Sequence, residues 1–183
     1  ADLLIYGMGE KPVRELVRRL SAGATIQDCY DMCQIAYLAN SRDAIHCVSN
    51  EIVELASHEE CAKNKKTSAA TFKTIEEESN KLNQTTLVQS VGNRYVVVNP
   101  PYSPMTTEEL DAIYDLPFTR QPHPKYKGKT IPAFDMIRWS VNTHRGCWGG
   151  CAFCTISMHQ GKFVVSRSLE SILKEVRTLA SDP

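Results

Sequence analysis

Between Leu116 and Pro132 the chain carries prolines at 117, 122, 124 and 132. Proline has a fixed φ and no backbone N–H, so neither a helix nor an interior strand runs through such a stretch. The segment is predicted to be an extended connector lying over the surface. It separates a longer part of the chain from a shorter one that ends in a helix. A length of 183 residues suits one domain, or one and a fraction.

Ahead of the connector the pattern is α/β. Leu3 to Tyr6 reads as a short buried strand and Gly7-Met8-Gly9-Glu10 as a tight turn. Pro12 opens a helix with Val13, Leu16, Val17 and Leu20 on one face, and Gly23 stops it. Gly7-x-Gly9 lacks the third glycine of a dinucleotide fingerprint, so a turn needed only for geometry is favoured over a phosphate cradle. Ile26 to Leu38 is mostly apolar, and the spacing of Cys29 and Cys33 would place both on one helical face as small buried groups. From about Asn50 to Asn83 there is no Gly or Pro, which predicts a long surface helix with a thin stripe of Phe72, Ile75 and Leu82.

Two β-type runs, Thr85 to Val91 and Arg94 to Val98, flank Gly92-Asn93 and predict a hairpin. Thr106-x-x-Glu109 is a capping box for a short helix through Leu110, Ile113 and Tyr114. After the connector, Ile137 to Val141 reads as a strand and Phe163 to Val165 as extended. Ser168 caps a last helix with Leu169, Ile172, Leu173, Val176 and Ala180 on one face. The chain enters an apolar run directly after Ala1-Asp2 and stops at Ser181-Asp182-Pro183 straight after that helix, so it is expected to be a piece of a longer protein.

Acidic and basic residues balance at 21 each, which gives no electrostatic case for nucleic acid or an anionic membrane as partner. Arg18-Arg19 and Lys63 to Lys66 read as solvated helix faces. No apolar run is long enough to span a bilayer, and nothing resembles a signal peptide. A cytoplasmic setting is expected. Seven cysteines in such a chain favour metal binding or redox chemistry over a disulfide scaffold.

Three of the seven, Cys147, Cys151 and Cys154, fall within RGCWGGCAFCTI, spaced C-x3-C-x2-C on the loop between the strand and the last helix. Core packing does not need three thiols beside Gly149-Gly150, so ligation of a soft metal centre is the favoured reading. A structural zinc site wants four ligands, and His144 or His159 would complete a Cys3His site in a small interaction module. An iron–sulfur cube held by three thiolates instead leaves one iron open to an outside ligand. Gly146, Gly149 and Gly150 would let the loop wrap a cube, with backbone N–H groups turned to its sulfides. Phe153 could lean on a bound planar group. Arg145 reads equally as a charge beside a cluster or as a surface ion pair, and Trp148 as a cap or a packing residue. Cys47, Cys61, His46, His58 and His123 carry no assigned role.

The spacing of Cys147, Cys151 and Cys154, with Phe153 before the last, resembles the cluster motif of the radical S-adenosylmethionine enzymes. Asn99-Pro100-Pro101, Leu116-Pro117-Phe118, His123-Pro124, Arg145 to Cys154 and His159-Gln160-Gly161 narrow the resemblance to the YgiQ-like group. The resemblance implies an α/β fragment in three parts. Residues 1–40 would end a Rossmann-like, cobalamin-binding-like domain, and 41–132 would be a linker region of long helix, hairpin and connector. Residues 133–183 would be the first β/α unit of a partial (β/α) barrel. It implies a [4Fe–4S] cluster on the three cysteines, S-adenosylmethionine on the fourth iron near Phe153, and reductive cleavage to a 5′-deoxyadenosyl radical that attacks an unknown substrate. A reductant such as flavodoxin or ferredoxin would supply the electron. The later barrel strands are absent and so is an Asp-x-His-x-x-Gly cobalamin motif. The chain alone is therefore expected to be inactive, and B12 binding is not carried over.

Overall fold

The computed structural model describes residues 1–48 and 51–181. The chain divides into two compact units. The first comprises Ala1–Ser103 with Trp148–Lys162, and the second comprises Pro104–Cys147 with the segment from Phe163 onward. Among the described residues no helix is long and apolar enough to cross a membrane.

The first unit is built on a mixed five-stranded sheet. Its strands are β1 (Leu4–Ile5), β2 (Ile35–Ala39), β3 (Ile52–Leu55), β4 (Thr86–Val91) and β5 (Arg94–Val98), in the spatial order β1-β2-β5-β4-β3. Only β3 and β4 run parallel; the other three pairings are antiparallel. β4 and β5 form the expected hairpin, with Gly92 at φ +56 in the first turn position, where a type II′ turn requires a positive φ. Tyr37, Val97 and Val88 sit side by side across β2, β5 and β4. Together with Cys29, Met32, Ile35 and Ala39 they make the buried core.

Several sequence expectations change here. β1 and β2 pair antiparallel, unlike the parallel βαβ arrangement of a Rossmann-like unit. Helix α1 (Glu10–Ser21) is where the pattern puts it, but Val13, Val17 and Leu20 are exposed. Its inward face is Pro12, Glu15, Leu16 and Arg19, and Glu15 pairs with Arg18 and Arg19 while Arg19 also reaches Asp31. Ion-paired side chains thus share the inward face with Pro12 and Leu16. Cys29 lies in a 3-10 turn and Cys33 precedes β2, so no helical face joins them.

The stretch expected as one long helix, whose first residue Asn50 lies outside the described residues, holds β3 and then two helices, α2 (His58–Lys63) and α3 (Lys65–Ser79). Two caps make the breaks. Ser57 and Glu60 form a capping box, and the Asn64 side chain accepts from the Lys66 and Thr67 N–H groups at 2.9 and 3.4 Å. The buried positions of α3 are Thr71 and Glu78, and Phe72 is exposed.

In the second unit α4 (Thr107–Tyr114) opens on the expected Thr106–Glu109 capping box. Residues 115–131 run irregularly and largely exposed, as their prolines demand. The strand expected at Ile137 to Val141 is absent. Pro132 occupies the first position of a short helix, α5 (Pro132–Ile137), where its fixed φ suits a helix start. The strand comes later, as β6 (His144–Arg145), antiparallel to β7 (Val165–Ser166). In the first unit α6 (Ile156–Gln160) follows the cysteines, and in the second α7 (Leu169–Ala180) starts at Ser168, whose hydroxyl accepts from the Ser171 N–H at 3.1 Å.

Asn99 shows how the first unit is tied together. It is fully buried, and its amide donates to the Tyr30 and Met32 carbonyls, both at 2.8 Å. Its own carbonyl accepts from the Tyr6 hydroxyl at 2.6 Å, and burial pushes that phenol well above its ordinary pKa. Asn99→Ala would leave the buried Met32 carbonyl and the partly buried Tyr30 carbonyl without this donor, at a cost of about 1–3 kcal/mol for the buried one. The expected result is a lower urea midpoint with an unchanged slope, and an intact midpoint would contradict this role for Asn99.

Candidate metal centre: the cysteine loop

In the second unit the chain enters the loop from β6. Gly146 is buried at φ +90, and a Cβ there would collide with the Phe163 carbonyl oxygen and lie 3.0 Å from its carbon. Only glycine allows that approach. Cys147 follows directly and is half-buried. Arg145, next to Gly146, turns its guanidinium to Tyr114, with Nε 3.4 Å from the hydroxyl and Cζ 5.3 Å from the ring centre. The other partner of that ring is Arg167, whose Cζ lies 4.0 Å from the ring centre.

In the first unit the loop continues through Trp148 and Phe153, whose rings are 83% and 92% exposed. Gly150 adopts φ +56, and the Cys154 N–H donates to the Cys151 carbonyl at 3.0 Å, closing a turn that joins those two ligand candidates. Cys151 is exposed and Cys154 half-buried. α6 then runs back to the start of the chain. A Cβ placed on Gly7 would be 3.6 Å from the His159 carbonyl oxygen and 3.3 Å from the Gln34 amide. Gln34 donates to the Tyr6 and Met8 carbonyls at 2.7 and 2.5 Å while holding φ +61, a conformation side chains seldom adopt. Lys162 closes the segment on α3, with Nζ 2.6 Å from a Glu76 carboxylate oxygen and 2.7 Å from the Ser79 hydroxyl.

This geometry gives Gly7-x-Gly9 a structural task. The turn is buttressed by Gln34, and the acidic Glu10 stands in the first turn of α1, where a phosphate would need the positive helix end. His144 is exposed, its Nδ1 3.0 Å from the Thr143 hydroxyl, and the His159 ring is also exposed. Among the described residues no three His, Cys, Asp or Glu side chains stand together as a metal-binding group. What unites the three thiols is their spacing along one loop. No disulfide links any of the seven cysteines. Burial raises the pKa of the Cys29, Cys33 and Cys47 thiols, which disfavours the thiolate a metal needs. Cys61 shares a hydrogen bond with the Thr71 hydroxyl at 3.4 Å. Tyr114 and Gln34 gave no signal in the sequence, because each acts through partners distant along the chain.

Comparison with known proteins places the chain in a family. A family model described as radical SAM N-terminal matches residues 1–140, a span that ends before Cys147. Three curated relatives, each named a UPF0313 protein, align along nearly the whole chain. The one from Bacteroides thetaiotaomicron is 55% identical over 100% of this chain and 31% of its own length. The one from Porphyromonas gingivalis is 51% identical over 98% of this chain and 28% of its own. The one from Methanocella arvoryzae is 44% identical over 100% and 30%. This chain thus spans about 30% of the length of the curated relatives it matches. No solved structure matches. On the family model's match to most of its length, and beside relatives that share the rest, the chain belongs to the radical SAM N-terminal family.

Proposed function

We propose that this chain carries the iron–sulfur loop of a radical S-adenosylmethionine enzyme, with Cys147, Cys151 and Cys154 as the three protein ligands of a [4Fe–4S] cluster. The observation that carries the reading is the C-x3-C-x2-C spacing on a glycine-rich loop in a chain of this family. The donor set fits the group. Three thiolates are the ligands iron–sulfur clusters take, and three rather than four leave one iron open. Two of the thiols already share a turn, and Gly146 provides a close-packed backbone into which no side chain can intrude.

When bound, the cluster and S-adenosylmethionine would supply a one-electron cleavage that starts hydrogen abstraction from a substrate. The chain's own residues hold and shield. Cys147, Cys151 and Cys154 would each hold one iron of the cluster. Phe153, with an exposed ring, would lean on a bound planar group. Residues 133–183 are read as the start of the catalytic core. A low-potential reductant such as flavodoxin or ferredoxin, in a reducing cytoplasm, completes the reading. Because the relatives are so much longer, activity belongs to the whole protein, and this chain alone is expected to show none.

Two outcomes test this. Anaerobic reconstitution with iron and sulfide should give a brown protein whose visible absorption is bleached by dithionite and lost in air. Replacing Cys147, Cys151 and Cys154 together by Ala should abolish iron and sulfide uptake. A colourless protein carrying one zinc per chain would overturn the reading in favour of a Cys3His site. Gly146→Ala should also cut iron uptake severely with all three thiols present, and should cost roughly 1–3 kcal/mol of stability through its left-handed backbone and the Phe163 clash. Iron content at the level of the parent chain would refute that dependence.

A further inference from the structure

We infer that Tyr114 is a positioning residue for the first ligand of the cysteine loop, acting as a ring held by two guanidinium groups. The inference rests on the proposed cluster reading and adds to it a residue outside the cysteine motif. All the groups involved lie in the second unit.

One of the two guanidinium groups is fixed. Arg167 is almost wholly buried, and each arm of its guanidinium is engaged. Nε donates to the Ser171 hydroxyl at 3.2 Å, and one terminal nitrogen donates to the Ser171 carbonyl at 3.0 Å and to its hydroxyl at 2.9 Å. The other donates to the Asn142 carbonyl at 2.9 Å and pairs with Glu175, which also pairs with Arg120. A cation so held cannot follow the ring; the ring must follow it. Tyr114, in the last turn of α4, packs on this cation at 4.0 Å.

The other belongs to the loop stem. Arg145 meets the same ring through its guanidinium and the same hydroxyl through Nε. It is the last residue of β6, two positions before Cys147, and the intervening Gly146 is pressed against Phe163. The stem is therefore held by a side-chain stack on one residue and a backbone approach on the next. Cation–π attraction is strongest where water is excluded, and the buried Arg167 excludes it on one face. The result is a thiol whose backbone is placed before any metal arrives, which reduces the ordering that ligation would otherwise require. Tyr114 touches neither the loop thiols nor a substrate; it works through Arg145.

The test uses the reconstituted 183-residue chain and its metal-free form. Tyr114→Leu removes ring and hydroxyl, Tyr114→Phe keeps the ring, and Arg145→Met removes the guanidinium while leaving the buried Arg167 network alone. Tyr114→Leu and Arg145→Met should each release iron to a chelator about threefold to tenfold faster than the parent chain, the range expected for one such contact. Tyr114→Phe should stay close to the parent, and the electron paramagnetic resonance spectrum of the reduced cluster should change in the first two variants only. In metal-free protein, amide exchange at Arg145 to Cys147 should rise in the same two. Equal release rates in all four proteins, or a Phe variant as impaired as the Leu variant, would overturn the inference. A parent chain that takes up no iron, yet shows the exchange pattern, would defeat the cluster reading and leave the positioning role of Tyr114 standing.

Discussion

The buried guanidinium of Arg167 is the interaction on which the second unit depends. That unit has few buried apolar side chains, chiefly Met105, Leu110 and Val165. Taking a cation out of water is costly, and the cost is offset only when its donors are met by well-placed partners. Here they are met by Ser171, the Asn142 carbonyl and Glu175, and the flat face is covered by Tyr114. One side chain thereby brings together the end of α4, the residues before β6, the β7–α7 corner and the first two turns of α7. The same corner is fastened by Asp111, which accepts from the Ser168 N–H at 3.0 Å. Hydrogen bonds to Ser168 hold the Asp111 carboxyl below its usual pKa.

What could be read from the sequence was local. Gly92-Asn93 fixes a turn by backbone geometry, and Thr106 with Glu109 and Ser168 with the Ser171 N–H are caps whose partners lie three residues away. What could not be read was decided at long range. β3 has a strand's composition but is short, and its place is set by parallel pairing with β4 across two intervening helices. α1 turns Glu15 and Arg19 inward beside Leu16, and Arg19 there meets Asp31, twelve residues further on. Ile137 to Val141 has the apolar residues of a strand, but Pro132 starts a helix ahead of it and the strand pairing passes to His144 and Arg145.

The candidate site divides in the same way. The cysteine spacing is a local signal and was legible in full. The need for Gly146 was suggested by its place beside Cys147, but its cause is the Phe163 carbonyl, which only the fold reveals. Phe153 and Trp148 stand out in the sequence as aromatics, and their exposure is the new information. The family model ends before the cysteines, while the curated relatives align through them. Motif and family are thus separate lines of support for one reading.

Lys162 joins α3 through Glu76 and Ser79, positions 86 and 83 residues away in the chain. Such a bond makes distant sites evolutionary dependants of one another. A change of charge at position 76 would unfasten the far end of a loop it never touches in sequence, and a compensating change at 162 would refasten it. Natural variants should therefore preserve the pairing at these positions more faithfully than either side chain taken singly.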